Sequence, residues 1–151
     1  ISANMLKIAE EKYPKHCFIK SDFMALDVRD KYDFVISIFS VPDYEGSKSV
    51  EKAYDLLENN GIYMATFINS DKPFTMACLE KTKNEYDLHK FNYQELNDCL
   101  HRAGFTWYYV ISIANIPELT EVKDMEKYLE DSKHRLKEAK YFFVIAQKES
   151  I

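Results

Sequence analysis

Residues 32–67 constrain the fold of this chain most, because two apolar strands in this segment flank a helical pattern. The predicted strands, 34–39 and 62–67, are near-continuous apolar runs, which is typical of strands covered by helices on both faces. One helix face between them consists of Val50, Ala53, Tyr54 and Leu57. Asn60-Gly61 follows and is typical of a left-handed helix end. The segment therefore predicts one right-handed crossover unit of a parallel sheet.

The rest of the chain continues the alternation of helices and strands. We expect a helix at 2–13, with Met5, Leu6 and Ala9 on its inner face, and a short strand at 17–20. A polar connection at 68–91, partly helical around 75–85, has the length of an excursion that covers a site. Alternation of this kind predicts an α/β fold with a mainly parallel sheet.

The C-terminal part carries clearer boundary signals. Asn92-Tyr93-Gln94-Glu95 has the spacing of a capping box, and Gly104 is placed to end the helix that it starts. The inner face of that helix is predicted to be Leu96, Cys99, Leu100 and Ala103. A strand at 106–113, a helix at 120–139 and a last strand at 141–147 complete the pattern.

The composition fits one soluble domain over residues 1–151. Hydrophobic residues make up 46% of the chain and charged residues 30%, which allows both a core and a solvated surface. A net charge of −5 argues against a protein that binds nucleic acid through clustered Lys and Arg. No apolar run approaches the ~20 residues that span a bilayer. Cys17, Cys78 and Cys99 are too widely spaced for a disulfide framework or a zinc site, which favours reduced thiols in the cytoplasm.

Motifs with a defined chemistry are lacking. Gly46, Gly61 and Gly104 are the only glycines, so the chain has neither a dinucleotide fingerprint nor a phosphate loop. The four histidines are scattered without ligand spacing, and we expect no metal site. His89 and Asp87 lie in the 68–91 connection, where a role as a base is a weak alternative.

The order of residues in the central segment resembles that of a known protein family. Asp33 opens a buried strand, a serine and an aromatic residue close it, and LLENNG at 56–61 ends the next helix before another strand. This resembles the middle of an S-adenosylmethionine-dependent methyltransferase of the Rossmann-like class (class I). The resemblance implies a mainly parallel sheet with an antiparallel last strand. Since such folds begin with a strand, a glycine-rich loop and a helix, and none of these precedes Ser2, we expect an N-terminally incomplete domain.

The resemblance also implies where S-adenosylmethionine, the expected cofactor, would bind. Ser2, Met5 and Leu6 match the stretch after the second family strand, where residues flank the adenine. Met5 and Leu6 are equally well explained as core-facing helix residues. Asp22 and Phe23 match the turn after the third strand, where a carboxylate accepts a hydrogen bond from the adenine amino group. Taken alone, an aspartate after a strand, such as Asp22, is more often only a helix cap or turn residue.

Phe39, Ser40 and Tyr44 match the end of the fourth family strand and the loop after it. In an open parallel sheet, ligands bind at the carboxyl ends of the strands. The resemblance implies that Phe39 and Ser40 contact the cofactor and that Tyr44 contacts the substrate, although Phe39 is also explained as a core residue. Methyl transfer depends mainly on alignment of donor and acceptor, so we expect no obligatory catalytic residue.

The leading hypothesis is thus a methyltransferase that acts on a small-molecule acceptor. A non-catalytic Rossmann-like interaction domain that lacks the cofactor loop is the main alternative, and a nucleotide-binding oxidoreductase is a weaker one. If the chain is complete as it stands, two apolar sheet edges lose their family neighbours, and we expect self-association or rearrangement through those edges.

Overall fold

The computed structural model describes residues 2–27, 29–38, 46–72, 90–113, 127, 130–131 and 135–150. The helices are α1 (Ala3–Lys12), α2 (Gly46–Leu56) and α3 (Tyr93–Ala103). The strands are β1 (Tyr32–Ser37), β2 (Leu57–Ile68), β3 (Trp107–Ile113) and β4 (Tyr141–Gln147), and a 3-10 turn, Leu136–Glu138, precedes β4. Along the part of the chain described here, no helix is long and apolar enough to cross a membrane.

The strands form a four-stranded sheet in the order β1-β2-β4-β3. β1 pairs with β2 in parallel, whereas β4 is antiparallel to both of its neighbours, β2 and β3. The first three strands therefore run in one direction and the last strand runs against them. This confirms the predicted α/β sheet with an antiparallel last strand.

The β1-α2-β2 unit is the predicted crossover, but its helix ends earlier than expected. α2 ends at Leu56, where the Nζ atom of Lys148 donates to the carbonyl oxygens of Tyr54 and Leu57, at 3.2 and 3.0 Å. A cation at this position satisfies carbonyls that the helix leaves unpaired. The left-handed residue is Asn60, with φ 65°, and it lies within β2 rather than at the helix end.

Gly61 is required by a close approach of backbones. The pairing of β1 with β2 shifts register between Tyr32 and Phe34, so several residues of β2 bulge against one residue of β1. A Cβ atom added at Gly61 would lie 2.9 Å from the Glu58 carbonyl oxygen and 3.0 Å from that of Tyr32. Any larger residue would push the start of β1 away from β2.

One face of the sheet is covered by α2 and α3, which bury the core. The predicted inner face of α3 is confirmed, since Leu96, Cys99 and Leu100 are at most 1% exposed. Aromatic rings fill the space between helices and sheet, where Phe105 stacks on Tyr63 with ring centroids 5.8 Å apart. The sheet contributes Tyr63, Ala65, Phe67, Val110, Phe142, Val144 and Ala146 to this core.

On the opposite face of the sheet Thr66 and Ile111 are buried, but the part toward the amino ends of the parallel strands is exposed. We call it the open face, and two rows of paired residues define it: Phe34, Ile62, Gln147 and Trp107 in one row, and Ile36, Met64, Ile145 and Tyr109 in the other. Phe34 is 56% exposed and Ile36 is 61% exposed. The prediction that the first strand is buried on both faces was therefore wrong. β1 is an edge strand of the described sheet, and the face that carries Phe34 and Ile36 stays exposed.

The N-terminal segment is capped as predicted but buries nothing. The Ser2 hydroxyl accepts a hydrogen bond from the Met5 amide at 3.3 Å, which starts α1, but no residue of the helix is buried. Met5 is 71% exposed, so the predicted inner face of this helix is not formed. The strand predicted at 17–20 is also wrong, because these residues are irregular. A short strand without a paired neighbour has no hydrogen bonds to hold it.

Two predicted helices fall mainly outside the described residues. The helical stretch at 75–85 lies entirely outside them. In the second helix, predicted at 120–139, residues 127 and 130–131 are helical, but the chain near Ala139 is not. The 3-10 turn ends at Glu138 and Ala139 has an extended backbone, so the predicted C-terminal boundary was wrong.

Candidate functional site

The site is best located by the carboxyl ends of the parallel strands. β1 ends at Ser37, β2 at Ile68 and β3 at Ile113, and because these strands are parallel, the three ends lie at one edge of the sheet. Ligands of open α/β sheets bind at this edge. The side chains that follow each strand end are therefore the candidates for binding.

Asn69 directly follows β2 and is the most deeply buried polar residue at this edge, with 1% of its surface exposed. Its Nδ2 atom donates to the Ala139 carbonyl oxygen at 2.8 Å, and its Oδ1 atom accepts from the Asp71 amide at 3.0 Å. A buried amide with both ends satisfied fixes the backbone around it. Asn69 thus ties the end of β2 to the turn that leads into β4.

A second set of bonds closes the base of the 68–91 connection. The Phe91 amide donates to the Ile68 carbonyl oxygen at 3.0 Å, and the Ser70 amide donates to the Phe91 carbonyl oxygen at 2.9 Å. The Phe91 ring packs edge-on against Phe67, with centroids 5.5 Å apart. We call this arrangement the clasp. It makes the chain leave and rejoin the carboxyl edge at adjacent points.

A cleft of about 720 Å³ opens beside the clasp. Described residues that line it are Ser47, Lys90, Phe91, Glu95, Asp98, His101 and Arg102. Ser47 lies in the first turn of α2 and Phe91 in the clasp, so one end of the cleft adjoins the carboxyl edge. Its lining combines cationic and anionic side chains, which suits a polar molecule rather than an apolar one.

The two carboxylates of the cleft already have partners. Glu95 Oε2 accepts from the Asn92 amide at 2.8 Å, and Asn92 Oδ1 accepts from the Glu95 amide at 2.9 Å, which is the predicted capping box. Asp98 Oδ1 accepts from the Gln94 side chain at 2.8 Å. Sequence reasoning missed this cleft, because its lining residues follow the solvent-facing spacing of a helix and carry no motif.

The predicted adenine-flanking residues of α1 lie on an exposed helix. The Ser2 hydroxyl serves as the N-cap, Met5 is exposed and Leu6 is half-buried. Their predicted contact with a cofactor stays a prediction.

Asp22 and Phe23, which are predicted to bind the adenine, lie in a tight turn. Asp22 Oδ1 accepts from the Met24 amide at 2.7 Å, and Phe23 is half-buried beside it. A carboxylate can accept about four hydrogen bonds, so this turn leaves acceptor capacity for an amino group. The Lys52 ammonium of α2 donates to the Leu26 carbonyl oxygen at 2.5 Å, which holds the end of this turn against the sheet unit.

The remaining predicted site residues, Phe39, Ser40 and Tyr44, lie outside the described residues. Within the described ranges, no group of three or more His, Cys, Asp or Glu side chains could hold a metal ion.

The described groups with a raised pKa are Tyr63 and Cys99 in the core and Tyr108 on β3, where partial burial and then the nearby Tyr93 and Asp98 raise the pKa. Burial raises the pKa of the Tyr63 hydroxyl, and the nearby Cys99 thiol adds to this shift. Burial also raises the pKa of Cys99 to about 11. Cys99 on the inner face of α3 and Tyr63 on β2 are both buried and stay neutral near pH 7, which suits a structural role.

Comparisons with known proteins identify the fold. No protein-family profile matches this sequence, and no curated protein matches it significantly. Among solved structures, a Thermotoga maritima S-adenosylmethionine-dependent methyltransferase, described as a possible histamine N-methyltransferase, is similar at a TM-score of 0.65 and 18% identity. The match covers 98% of this chain and 70% of that protein.

Two further structures agree. The phosphoethanolamine N-methyltransferase 2 of Haemonchus contortus, in complex with S-adenosyl-L-methionine, has a TM-score of 0.65 at 15% identity. It is matched by 99% of this chain over 42% of its own length. A Listeria monocytogenes protein assigned as an S-adenosylmethionine-dependent methyltransferase has a TM-score of 0.66 at 16% identity, with 99% of this chain and 77% of that protein covered. This chain therefore has the Rossmann-like fold of these methyltransferases, and it spans only part of each of them.

Proposed function

We propose that this chain is part of an S-adenosylmethionine-dependent methyltransferase that acts on a small-molecule acceptor. The observation that carries the proposal is the strand order β1-β2-β4-β3 with a reversed last strand, in a fold shared with such enzymes along almost all of this chain. Low cysteine content and free thiols at Cys17 and Cys99 support a cytoplasmic location.

The turn at Asp22 would recognise the adenine of the cofactor. Its carboxylate provides an acceptor for the exocyclic amino group, and the half-buried Phe23 ring provides an apolar wall for the heterocycle. Ser2, Met5 and Leu6 would flank the same ring system from α1, and Phe39 and Ser40 would contact the methionine part.

Methyl transfer from this cofactor would need little general acid or base catalysis. The cofactor, when bound, supplies a methyl group on a sulfonium, and the acceptor lone pair replaces the sulfur. An aromatic ring beside the sulfonium, the role proposed for Phe39, would stabilise its charge. Holding the two reactants in line can lower the activation barrier substantially, because effective molarities for well-oriented reactants reach about 10⁵–10⁸ M.

A small polar acceptor fits the cleft between α2 and α3. The cleft adjoins the carboxyl edge, and its lining includes the cationic side chains of Lys90 and Arg102, which would attract an anionic group. The Haemonchus contortus enzyme is named for an acceptor of this size and polarity, phosphoethanolamine. Tyr44 would contribute to the same acceptor site.

A non-catalytic interaction domain is the second candidate. The chain has only three glycines, and none of them forms a Gly-x-Gly loop. The open face adds an exposed apolar surface, which is more typical of an association domain than of a closed enzyme.

Calorimetric titration with S-adenosylmethionine separates these candidates. We expect saturable binding by the protein at micromolar to millimolar cofactor, and at least 10-fold weaker binding by Asp22→Asn. Asp33→Asn is the matched control, because Asp33 is an exposed aspartate at the opposite end of β1 and should leave binding unchanged. Absence of binding at millimolar cofactor would contradict the proposal and favour the interaction domain.

A further inference from the structure

We propose that Lys52 of α2 is a positioning residue for the cofactor, because its ammonium group fixes the turn that carries Asp22 and so sets how well the adenine amino group is recognised. This inference rests on the proposed function, since it concerns the binding of the same cofactor. It goes beyond that function because Lys52 lies on a different element from Asp22 and acts through the turn rather than on the cofactor itself.

Two local hydrogen bonds shape the segment that begins at Asp22. The Asp22 Oδ1 atom accepts from the Met24 amide at 2.7 Å, and the Leu26 amide donates to the Phe23 carbonyl oxygen at 3.2 Å. The second bond closes a β-turn from Phe23 to Leu26. These bonds fix the shape of the turn, but bonds within one segment cannot fix its position relative to the rest of the protein.

The turn lies in a part of the chain that has no regular structure of its own. Among the described residues of the stretch 13–31, none belongs to a helix or a strand. A group that recognises a ligand has to be held within about 0.5 Å of its productive position. The Asp22 turn therefore requires an anchor on an element that is itself fixed.

Lys52 provides such an anchor. Its Nζ atom donates to the carbonyl oxygen of Leu26, the last residue of the turn, at 2.5 Å. Hydrogen bonds from an ionised donor are shorter and stronger than those from a neutral one. The position of α2 is fixed by the core, because Val50 and Ala53 are at most 1% exposed. The bond from Lys52 therefore transmits the fixed position of α2 to the turn.

The consequence for binding concerns the choice of base. The Asp22 carboxylate would accept a hydrogen bond from the exocyclic amino group, which hypoxanthine lacks. A site built for such a bond rejects the analogue without the donor, because the polar group of the site is then left unpaired. This preference depends on the position of the carboxylate. Loss of the Lys52 bond should therefore reduce the preference for adenine, rather than weaken all binding equally.

Titration with S-adenosylhomocysteine and with S-inosylhomocysteine, its deaminated analogue, measures this preference. We expect the protein to bind the adenine compound roughly 10-fold more tightly, and Lys52→Met to reduce that ratio by about 5-fold. Lys52→Arg keeps a charged donor and should retain most of the ratio. Lys31→Met is the matched control and should leave the ratio unchanged, because the Lys31 ammonium donates to the Asp55 carbonyl oxygen near the end of the same helix.

Hydrogen exchange without ligand tests the anchor by itself. Lys52→Met should speed exchange of the Met24 and Leu26 amides about 10-fold, while the amides of α2 keep their protection. Unchanged exchange in the turn would overturn the inference. Equal acceleration throughout α2 would also overturn it, because Lys52 would then have a general structural role.

The two proposals fail in different ways. If Asp22→Asn loses the preference for adenine and Lys52→Met keeps it, Lys52 is not a positioning residue, while the proposed function stands. If neither compound binds the unmodified protein at millimolar concentration, the proposed function fails, and the role of Lys52 in cofactor binding fails with it.

Discussion

The helices α1 and α3 begin with the same kind of N-cap hydrogen bond, but they lie in different environments. In each, the side chain of the N-cap residue, Ser2 or Asn92, accepts a hydrogen bond from the backbone amide three residues later. Yet α3 buries Leu96, Cys99 and Leu100, while α1 buries no residue.

The difference teaches that a cap sets where a helix starts, while burial depends on what lies opposite its apolar face. α3 packs against α2, and its Asn97 and Tyr93 side chains contact β3 and β4. Met5 and Ile8 of α1, in contrast, are 71% and 62% exposed. Because most helix stability in proteins comes from packing, α3 should resist unfolding far better than α1.

The largest expected effect comes from the same truncation in both helices. Leu100→Ala should lower the free energy of unfolding by about 3–5 kcal/mol, because Leu100 is fully buried and its removal leaves a cavity. Leu6→Ala should cost less than about 1 kcal/mol, because Leu6 is only half-buried. Urea unfolding followed by circular dichroism measures both. Equal costs would contradict the contrast between the helices.

The ends of the two helices should respond differently as well. α3 ends at Gly104 with φ 106°, and a Cβ atom there would lie 2.9 Å from the Tyr54 ring. Gly104→Ala should therefore cost about 2 kcal/mol, of which ~1–2 kcal/mol is the left-handed backbone. α1 ends at Tyr13 with φ −130°, so Tyr13→Ala should leave the urea midpoint nearly unchanged. A midpoint shift for Tyr13→Ala as large as that for Gly104→Ala would show that the end of α1 is also packed.

Removal of the caps gives a smaller effect. Asn92→Ala should destabilise the protein by about 1 kcal/mol, because it deletes one half of a capping box on a helix that belongs to the core. Ser2→Ala should fray α1 without changing global unfolding. Hydrogen exchange distinguishes the two, since only Ser2→Ala should speed exchange of α1 amides alone. Loss of global stability in Ser2→Ala would mean that α1 is coupled to the sheet.

The smallest effect is a pH dependence confined to α3. Burial raises the pKa of Cys99 to about 11, above its value of about 8.5 in an unfolded chain. Stability is then unaffected below about pH 8.5 and falls as the pH rises toward 11, because only the unfolded chain ionises there. The loss should be about 0.8 kcal/mol at pH 9.

Two controls locate this dependence. Cys99→Ala should lack the alkaline loss between pH 8.5 and 9. Thiol labelling read by peptide mass should modify the exposed Cys17 quickly and the buried Cys99 slowly. Rapid labelling of Cys99 in the folded protein would indicate that α3 opens readily.

Local sequence signals predicted the elements well where they were complete. Asn92, Glu95 and Gly104 defined α3 at both ends, and the apolar runs identified β2 and β4. The resemblance, rather than local pattern, implied the antiparallel last strand. These predictions succeeded because caps and strand patterns depend on neighbours in the sequence.

Burial and pairing could not be predicted in the same way. The apolar residues of β1 carry the pattern of a strand covered on both faces, but Phe34 and Ile36 are exposed because nothing described covers that face. The strand predicted at 17–20 is not formed, because these residues do not pair with a strand of the described sheet. Asn69 was missed because its role depends on Ala139, which is 70 positions away in the sequence. The predicted cofactor residues remain predictions, since their roles require a ligand.

The clasp at Ile68 and Phe91 has a consequence for redesign of this protein. Because two backbone hydrogen bonds hold the chain together where it leaves and rejoins the sheet, the segment between them can change length while the sheet keeps its register. Doubling such a segment costs only about 0.6 kcal/mol in closure entropy. The segment that the clasp closes is therefore a suitable insertion point, at which a foreign peptide or a small reporter domain could be grafted beside the carboxyl edge.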